Sequence, residues 1–177
     1  MRTLQAQRKD SDLSNTHHEA HARPPVEVAG AADAAEVRAL LAAARLPVED
    51  PAEPTYLDFL VVRDDAHRVI GAVGLERYGT VGLLRSLVVA PARRNCGIAS
   101  ALIEAMEHHA PSVGIELLVL LTETAQALFS RLGYSVIDRA YVPDEVKANA
   151  EFRSLCPASA VCMTKLLAET HVGARHD

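Results

Sequence analysis

The sequence is poor in cysteine, aromatic residues and long apolar runs. Its three cysteines are an odd number without CxxC spacing, which is not typical of a secreted disulfide framework. No stretch approaches the roughly 20 consecutive apolar residues that a membrane helix needs, and the opening residues show no signal-peptide pattern. We therefore expect a soluble protein of the reducing cytoplasm with no membrane partner.

Basic charge is also scarce. The formal net charge is -5 and the sequence pI is about 5.9, so no general positive surface is expected to bind nucleic acid. Apolar residues make up 49% of the 177 positions. A chain of this length and composition can bury one sizeable core, and a single domain is therefore expected.

The two ends of the chain differ in composition from its middle. Residues 1–25 are predicted to be a disordered polar tail, followed by one domain over 26–167 and a C-terminal tail over 168–177. The first tail contains His17, His18 and His21. Carboxylate or cysteine partners at ligand spacing do not accompany these histidines, so no metal site is predicted.

A first helix is expected to begin after Asp33 and to stop near Pro47. Asp33 as the cap, with Glu36 three residues on, has the pattern of a capping box. The apolar residues at helical spacing are Val37, Leu40, Leu41 and Ala44.

Apolar runs predict the strands. The runs 59–62 and 69–75 flank the turn-favouring stretch 64–67 and predict a hairpin, and the run 83–89 should be the central strand. A helix from Ile98 towards Pro111, followed by the apolar run 117–121, predicts a crossover unit. The remaining predicted elements are a helix over 125–132 closed by Gly133, and strands near Val136 and over 160–166.

The turn between the central strand and the next helix has the residues of an anion site. Gly97 and Ala99 are small enough to let backbone N–H groups approach an anion, and Asn95 tolerates a left-handed conformation. The dipole of the following helix favours negative charge at its N-terminus. A diphosphate fits this pattern, although tight packing of strand against helix would explain the small residues equally well.

The motifs of this region resemble those of the GNAT superfamily of N-acetyltransferases. Its pyrophosphate loop reads Arg/Gln-x-x-Gly-x-Gly/Ala after a strand ending in Val-x-Pro, and this chain has Arg94-Asn95-Cys96-Gly97-Ile98-Ala99 after Val89-Ala90-Pro91. The family's second helix motif is recognisable over 127–134, so the resemblance covers roughly 26–167. More narrowly, the stretches 75–79, 84–87 and 151–162 are similar to the GNAT branch associated with arsenic-resistance operons.

The resemblance implies an α/β fold, namely the GNAT acyl-CoA N-acyltransferase fold. In it, flanking helices cover a mixed, mostly antiparallel sheet, and a strand-turn-helix binds pyrophosphate. It also implies acetyl-CoA as co-substrate, no metal, and a homodimer as in many relatives, although no interface stripe is recognisable. The implied cofactor-binding residues are Leu87, Val88, Val89, Arg94, Asn95, Cys96, Gly97, Ile98, Ala99, Ser100 and Phe129.

This chain departs from the family pattern at two of those positions. Asn95 replaces the usual first glycine of the loop, which asparagine can tolerate. Phe129 stands where many members have a tyrosine thought to protonate the departing thiolate. The sequence therefore leaves the general acid unidentified.

Two residues near the central strand are the main candidates for chemistry. Glu76, near the end of the preceding strand, is the candidate general base, directly or through a water; the alternative is a solvated strand-end charge. Arg85 interrupts an apolar strand, and its guanidinium suits a carboxylate or an oxyacid; the alternative is a structural salt bridge. Ser86 points to the opposite face of a regular strand, so both contact a substrate only if a bulge re-aims one of them.

The long segment 141–157 is interpreted as a lid or substrate wall. Within it, Arg153 and Ser154 are candidates to close over the acceptor, or alternatively to satisfy loop carbonyls. Arsenite capture by Cys156 and Cys162 is a weaker interpretation than ordinary buried cysteine. Cys96, at a helix N-terminus, is expected to be reactive without being catalytic.

Taken together, these features predict a cytoplasmic N-acetyltransferase. Its expected acceptor is the α-amine of a small amino-acid-like molecule, with arsinothricin or phosphinothricin detoxification as the context that the resemblance implies. Two other hypotheses stay open at this point. One is a non-catalytic acyl-CoA-binding or metalloid-responsive module, and the other is an acetyltransferase acting on a protein or peptide amine.

Overall fold

The computed structural model describes residues 24–48, 57–149, 152–153 and 157–167. The predicted tails therefore lie outside the described residues except at positions 24 and 25, and so do Ser154 and Cys156. The strands are β1 (Val26–Val28), β2 (Leu57–Arg63), β3 (Val69–Tyr78), β4 (Val81–Val89), β5 (Leu117–Thr122), β6 (Ser135–Val136) and β7 (Val161–Leu166). The α-helices are α1 (Ala34–Ala43), α2 (Ile98–His109), α3 (Gln126–Arg131) and α4 (Asp144–Lys147).

The strands form one mixed sheet in the order β1-β2-β3-β4-β5-β7-β6. Each pair of neighbours is antiparallel except β4 and β5, which are parallel. Helix α2 makes the crossover that a parallel pair needs, because a tight turn cannot join two strands running in the same direction. The expected hairpin, central strand and crossover unit are confirmed, as is the mostly antiparallel α/β fold.

Helices cover both faces of the sheet. On one face, Leu102, Ile103 and Met106 of α2 are completely buried against the strands. Full burial of such a side chain contributes about 1.5–3 kcal/mol, so these residues fix α2 firmly on the sheet. On the opposite face, α1 packs through Val37 and Leu41.

The segment containing α4 covers the other part of that second face. Val142 and Val146 are buried against Leu83 of β4 and Val119 of β5. Leu83 and its neighbour Leu84 belong to different apolar clusters, as expected for successive residues of a strand. The late segment therefore packs on the sheet through residues 142–146 and contributes to the core.

The start of α1 differs from the sequence prediction. The Asp33 carboxylate does not cap the helix; it accepts from the Gly30 N–H at 2.7 Å and pairs with Arg63 at 2.7 Å. The Glu36 carboxylate accepts from the Val69 N–H at 2.8 Å, at the beginning of β3. The predicted capping box of Asp33 and Glu36 is therefore wrong, because tertiary partners take up both carboxylates.

None of the described helices is long and apolar enough to cross a membrane.

Candidate active site

The central strand β4 separates from its neighbour β5 along its length. The two strands pair only at their beginnings, Val81–Leu83 with Leu117–Val119. Beyond Leu83, β4 continues to Val89 with β3 on one side and no described strand on the other. The open side of residues 87–89 is therefore free to face a bound ligand.

The turn after β4 presents backbone N–H groups at a helix start. Asn95 and Gly97 both have left-handed backbones, with φ of 62° and 78°. The first hydrogen bond within α2 runs from the Ala101 N–H to the Gly97 carbonyl at 3.0 Å. The N–H groups of residues 98–100 consequently have no acceptor within the helix, and this is the usual basis of anion binding at a helix N-terminus.

These two features border one groove of 780 Å³, which we call the β4–α2 groove. Nine of the eleven residues predicted to bind the cofactor line it: 87–89, 94, 95 and 97–100. Arg93, Arg94 and Arg131 also line it and supply positive charge. Lining residues that the sequence did not assign to the cofactor are Ala44, Leu46, Arg93, Thr124, Ala125, Leu128 and Arg131.

Two residues predicted to bind the cofactor do not line the groove. Phe129 is buried in the core, where its ring meets Tyr134 edge to face with 5.2 Å between centroids. Cys96 is exposed, and its thiol donates to the Arg94 carbonyl at 3.4 Å. Phe129 therefore packs in the core of this structure, and its contact with the cofactor stays a prediction.

A second cavity, of 270 Å³, lies beside α1 and is called the α1 cavity here. Arg85 and Ser86 line it together. Both reach it because β4 has a β-bulge: Val88 pairs with Ala72 but Arg85 pairs with Gly74, so β4 has one extra residue. Ser86 has φ of 55°. The bulge that Arg85 and Ser86 need in order to face the same site is therefore present.

The α1 cavity has a mixed lining. The residues from the first helix and from the segments before and after it are Ala29, Gly30, Ala31, Ala34, Val37, Arg38, Leu41, Pro47 and Val48, and β2 adds Leu57 and Phe59. Consecutive residues of β4 thus line the two cavities, with Arg85 and Ser86 on one side of the bulge and residues 87–89 on the other.

Glu76 and Arg85 form a buried ion pair next to this bulge. Arg85 Nη1 donates to Glu76 Oε2 at 2.7 Å, and the residues are 8% and 1% exposed. The alternative of a solvated strand-end charge for Glu76 is therefore wrong. The alternative of a structural salt bridge for Arg85 is correct, yet the same side chain also lines the α1 cavity.

Two further side chains, not identified from the sequence, complete this polar cluster. The Tyr78 hydroxyl donates to Glu76 Oε1 at 2.5 Å, and Asn149 Nδ2 donates to the same oxygen at 2.9 Å. Burial, followed by the hydrogen bond to Glu76, raises the pKa of Tyr78 to about 12. The position of Tyr78 beside Glu76 could have been predicted from the sequence, since residues i and i+2 of a strand share a face. That of Asn149 could not, because no local pattern links it to β3.

The remaining candidates have ordinary surroundings. Arg153 is exposed, and its predicted partner Ser154 lies outside the described residues. Cys162 is buried in β7, and burial raises its pKa to about 11, as for a core cysteine. In the described part of the chain, no group of three or more His, Cys, Asp or Glu side chains is placed to hold a metal ion.

Comparison with known proteins gives a family match over part of the chain. Residues 55–136 match the family model described as acetyltransferase (GNAT) domain. Comparison with curated protein sequences gave no match.

Solved structures match over most of the chain at low identity. A Mycobacterium tuberculosis protein in complex with CoA is 22% identical with a TM-score of 0.68, over 82% of this chain and 100% of that one. Neisseria gonorrhoeae N-acetylglutamate synthase, complexed with coenzyme A and N-acetyl-glutamate, is 16% identical with a TM-score of 0.68, over 83% of this chain and 36% of that one. A Staphylococcus aureus GNAT acetyltransferase is 15% identical with a TM-score of 0.64, over 81% and 99%.

These matches agree with the geometry of the β4–α2 groove and with the sequence prediction of the fold. The chain has the GNAT fold, and its residues 55–136 match the family model of the GNAT acetyltransferase domain.

Proposed function

We propose that this protein is an N-acetyltransferase that moves the acetyl group of acetyl-CoA to the α-amine of a small, anionic, amino-acid-like acceptor. The observation that carries the proposal is the bulge in β4, since the residues on its two sides line two different cavities. One cavity has the features of a CoA site, and the other contains an arginine. A transferase needs both substrates held next to each other.

The β4–α2 groove fits CoA in its charge and its shape. Three helix N–H groups and the three lining arginines suit the negative diphosphate. The open edge of residues 87–89 suits an extended, amide-containing arm, because an extended ligand can add to an unpaired strand edge. Asn95, Gly97, Ala99 and the rest of the turn would hold the diphosphate through the backbone.

The chemistry needs no covalent enzyme intermediate. When bound, acetyl-CoA supplies a thioester: the amine forms a C–N bond to its carbonyl carbon, the C–S bond breaks, and the ammonium loses two protons, one to the departing thiolate and one to solvent. The residues of this chain would align the two substrates and polarise the carbonyl from the β4 backbone. Glu76 stays a predicted general base, acting through water because it is buried and hydrogen-bonded on both oxygens.

The lining of the α1 cavity supports a small anionic acceptor. Its volume of 270 Å³ suits an amino acid better than a folded protein surface. Val37, Leu41 and Phe59 give an apolar wall, and Arg38 and Arg85 bring positive charge. A guanidinium binds carboxylate, phosphinate or arsinate groups in the same two-pronged way.

We further propose that the acceptor is a glutamate analogue such as arsinothricin or phosphinothricin, which places the protein in detoxification. The sequence stretches similar to the arsenic-resistance branch support this choice. So does the N-acetyl-glutamate bound by the structurally similar Neisseria gonorrhoeae synthase. Arg153 and Ser154 are proposed to contact the acceptor from the late segment.

The test is a thiol-release assay with acetyl-CoA against glutamate, phosphinothricin, arsinothricin, neutral amino acids and amine-bearing peptides. We expect turnover with the anionic amino acids and a raised KM for them in Arg85→Ala, with the Kd of CoA unchanged. Turnover confined to peptides would refute the small-molecule acceptor. CoA binding without turnover on any amine would refute the transferase and favour a binding module.

A further inference from the structure

The ion pair beside the α1 cavity is held by a residue from a distant part of the chain. Glu76 accepts three hydrogen bonds: one from Arg85 on Oε2, and one each from Tyr78 and Asn149 on Oε1. Asn149 Nδ2 also lies 2.7 Å from the Tyr78 hydroxyl oxygen. The cluster is therefore a connected network that runs from the late segment through β3 to β4.

From this network we infer that Asn149 is a positioning residue, which acts through Glu76 to hold the Arg85 guanidinium where it lines the α1 cavity. The inference rests on the proposed function, because it assigns Arg85 to the acceptor anion. It differs from the prediction that Glu76 is a base, since here Glu76 is the counter-ion of the binding arginine. Asn149 itself does not line the cavity.

The electrostatics of the cluster explain why such a support is needed. A buried carboxylate is costly unless its oxygens accept hydrogen bonds and a positive charge lies close to it. Arg85 supplies the charge, while Tyr78 and Asn149 supply the remaining donors on Oε1. With Oε1 satisfied in this way, the Glu76 side chain is fixed, and its other oxygen holds Arg85 in one orientation.

The position of Asn149 is itself well determined. It follows α4, whose Val146 is completely buried, and Val142 just before the helix is buried too. The Asn149 N–H also donates to the Val146 carbonyl at 3.0 Å. The amide is therefore presented to Glu76 from a packed backbone, so its removal would leave a gap in the donor set that the backbone cannot close.

The test compares three variants in the full-length protein. Asn149→Ala removes the donor, Asn149→Asp replaces it by a carboxylate facing Glu76, and Tyr78→Phe removes the other donor on Oε1. Thr164→Val is the matched control, because the Thr164 hydroxyl donates to the Leu118 carbonyl at 2.9 Å elsewhere in the sheet. KM and kcat are measured for an anionic acceptor and for its uncharged amide analogue, together with the Kd of CoA and the Tm.

We expect Asn149→Ala to raise KM for the anionic acceptor about tenfold, as for a lost hydrogen bond to a charged group. Asn149→Asp should raise it further, and Tyr78→Phe should have an effect similar to that of Asn149→Ala. The KM for the amide analogue and the Kd of CoA should change less than about twofold, and Thr164→Val should lower only the Tm. Tyr78→Phe keeps the test informative if Asn149→Ala fails to fold.

Other outcomes separate this inference from the proposed function. A lower Tm with unchanged KM in the Asn149 and Tyr78 variants would make the network purely structural, and a lower kcat with unchanged KM would make it part of proton transfer; either result overturns the inference. If the wild type shows no turnover, the Kd of the anionic amino acid for the CoA-loaded protein is measured by calorimetry. Weaker binding by Asn149→Ala would then keep the inference and refute the transfer, and absence of wild-type binding would refute both.

Discussion

Gly71 of β3 lies directly under Ile98, the first residue of α2. A Cβ on Gly71 would lie 2.8 Å from Ile98 Cγ2 and 3.1 Å from Leu102 Cδ1. The missing side chain is thus what lets the first turn of the helix rest on the sheet. That turn contributes the N–H groups of the β4–α2 groove. The packing of α2 on the sheet at Gly71 therefore determines where these N–H groups lie.

Gly71→Ala is expected to lower both stability and CoA affinity. The added methyl must push Ile98 and Leu102 away, and overpacking of this kind costs about 1–3 kcal/mol of unfolding free energy. A shift of the α2 start also displaces the N–H groups, so the Kd of CoA should rise. Urea unfolding and calorimetry with CoA measure the two effects.

Gly79→Ala serves as the control for the Gly71 variant. Gly79 has φ of 58°, and its Cβ would meet nothing within 4 Å. The substitution should therefore destabilise by about 1–2 kcal/mol through backbone strain alone, with no effect on CoA binding. An unchanged Kd of CoA in Gly71→Ala would contradict the link between the glycine and the anion site.

Arg131→Gln is expected to weaken CoA binding in a salt-dependent way. Arg131 lines the β4–α2 groove from the end of α3, and removing one cation near a diphosphate reduces the electrostatic part of the affinity. Arg68→Gln changes the net charge equally, but Arg68 lies in the β2–β3 turn, paired with Asp64. Titrations at low and high salt should show a smaller salt effect for Arg131→Gln only. An equal salt dependence of the Kd of CoA in the two variants would mean that Arg131 does not interact with the bound anion.

The sequence predicted most of this groove because its signals are local. Asn95 and Gly97 lie in a short turn between an apolar strand and an amphipathic helix, and the left-handed conformations follow from the residue types themselves. Arg131 was not predicted, because its approach to the groove depends on how α3 packs after β5. Phe129 was assigned to the cofactor through the family motif; its ring packs against Tyr134 in the core, and its contact with the cofactor stays a prediction.

The acceptor side was harder to predict because its contacts are distant in the sequence. Arg85 was identified as an anomaly in an apolar run, but its pairing with Glu76 depends on the register of β3 against β4. From the sequence, the bulge at Ser86 could be named only as the condition under which Arg85 and Ser86 both contact a substrate. Asn149 reaches Glu76 across 73 positions of the chain, and composition or periodicity gives no sign of such a contact.

Tyr78 is expected to make stability fall with rising pH in a defined window. Its pKa in the folded protein is raised to about 12 from the ordinary tyrosine value of 10.0, so between these values the unfolded chain loses a proton that the folded protein keeps. The contribution is complete below pH 10 and is lost as the pH approaches 12. Urea midpoints measured from pH 8 to 12 should fall less steeply above pH 10 in Tyr78→Phe than in the wild type.

Cys162→Ala provides a comparison with a different window. Burial raises the pKa of this thiol from 9.0 to about 11, so its contribution to the pH dependence begins one unit earlier. The difference in urea midpoint between wild type and variant should therefore change between pH 9 and 11 for Cys162→Ala, and between pH 10 and 12 for Tyr78→Phe. If the urea midpoints of wild type and Tyr78→Phe fall in parallel above pH 10, the pKa of Tyr78 is not raised in the folded protein.

Substitutions at Asn95 are expected to separate backbone conformation from side-chain chemistry in the anion site. Asn95→Gly should keep the left-handed φ of 62° without strain, so the Kd of CoA should stay within about twofold of the wild-type value. Asn95→Val places a β-branched residue in that conformation, which costs about 1–2 kcal/mol, and CoA binding should weaken about tenfold. Calorimetric titration of both variants measures the difference. If Asn95→Gly also loses affinity, the asparagine side chain itself contacts the cofactor; equal wild-type affinity in both variants would show that the turn conformation does not control binding.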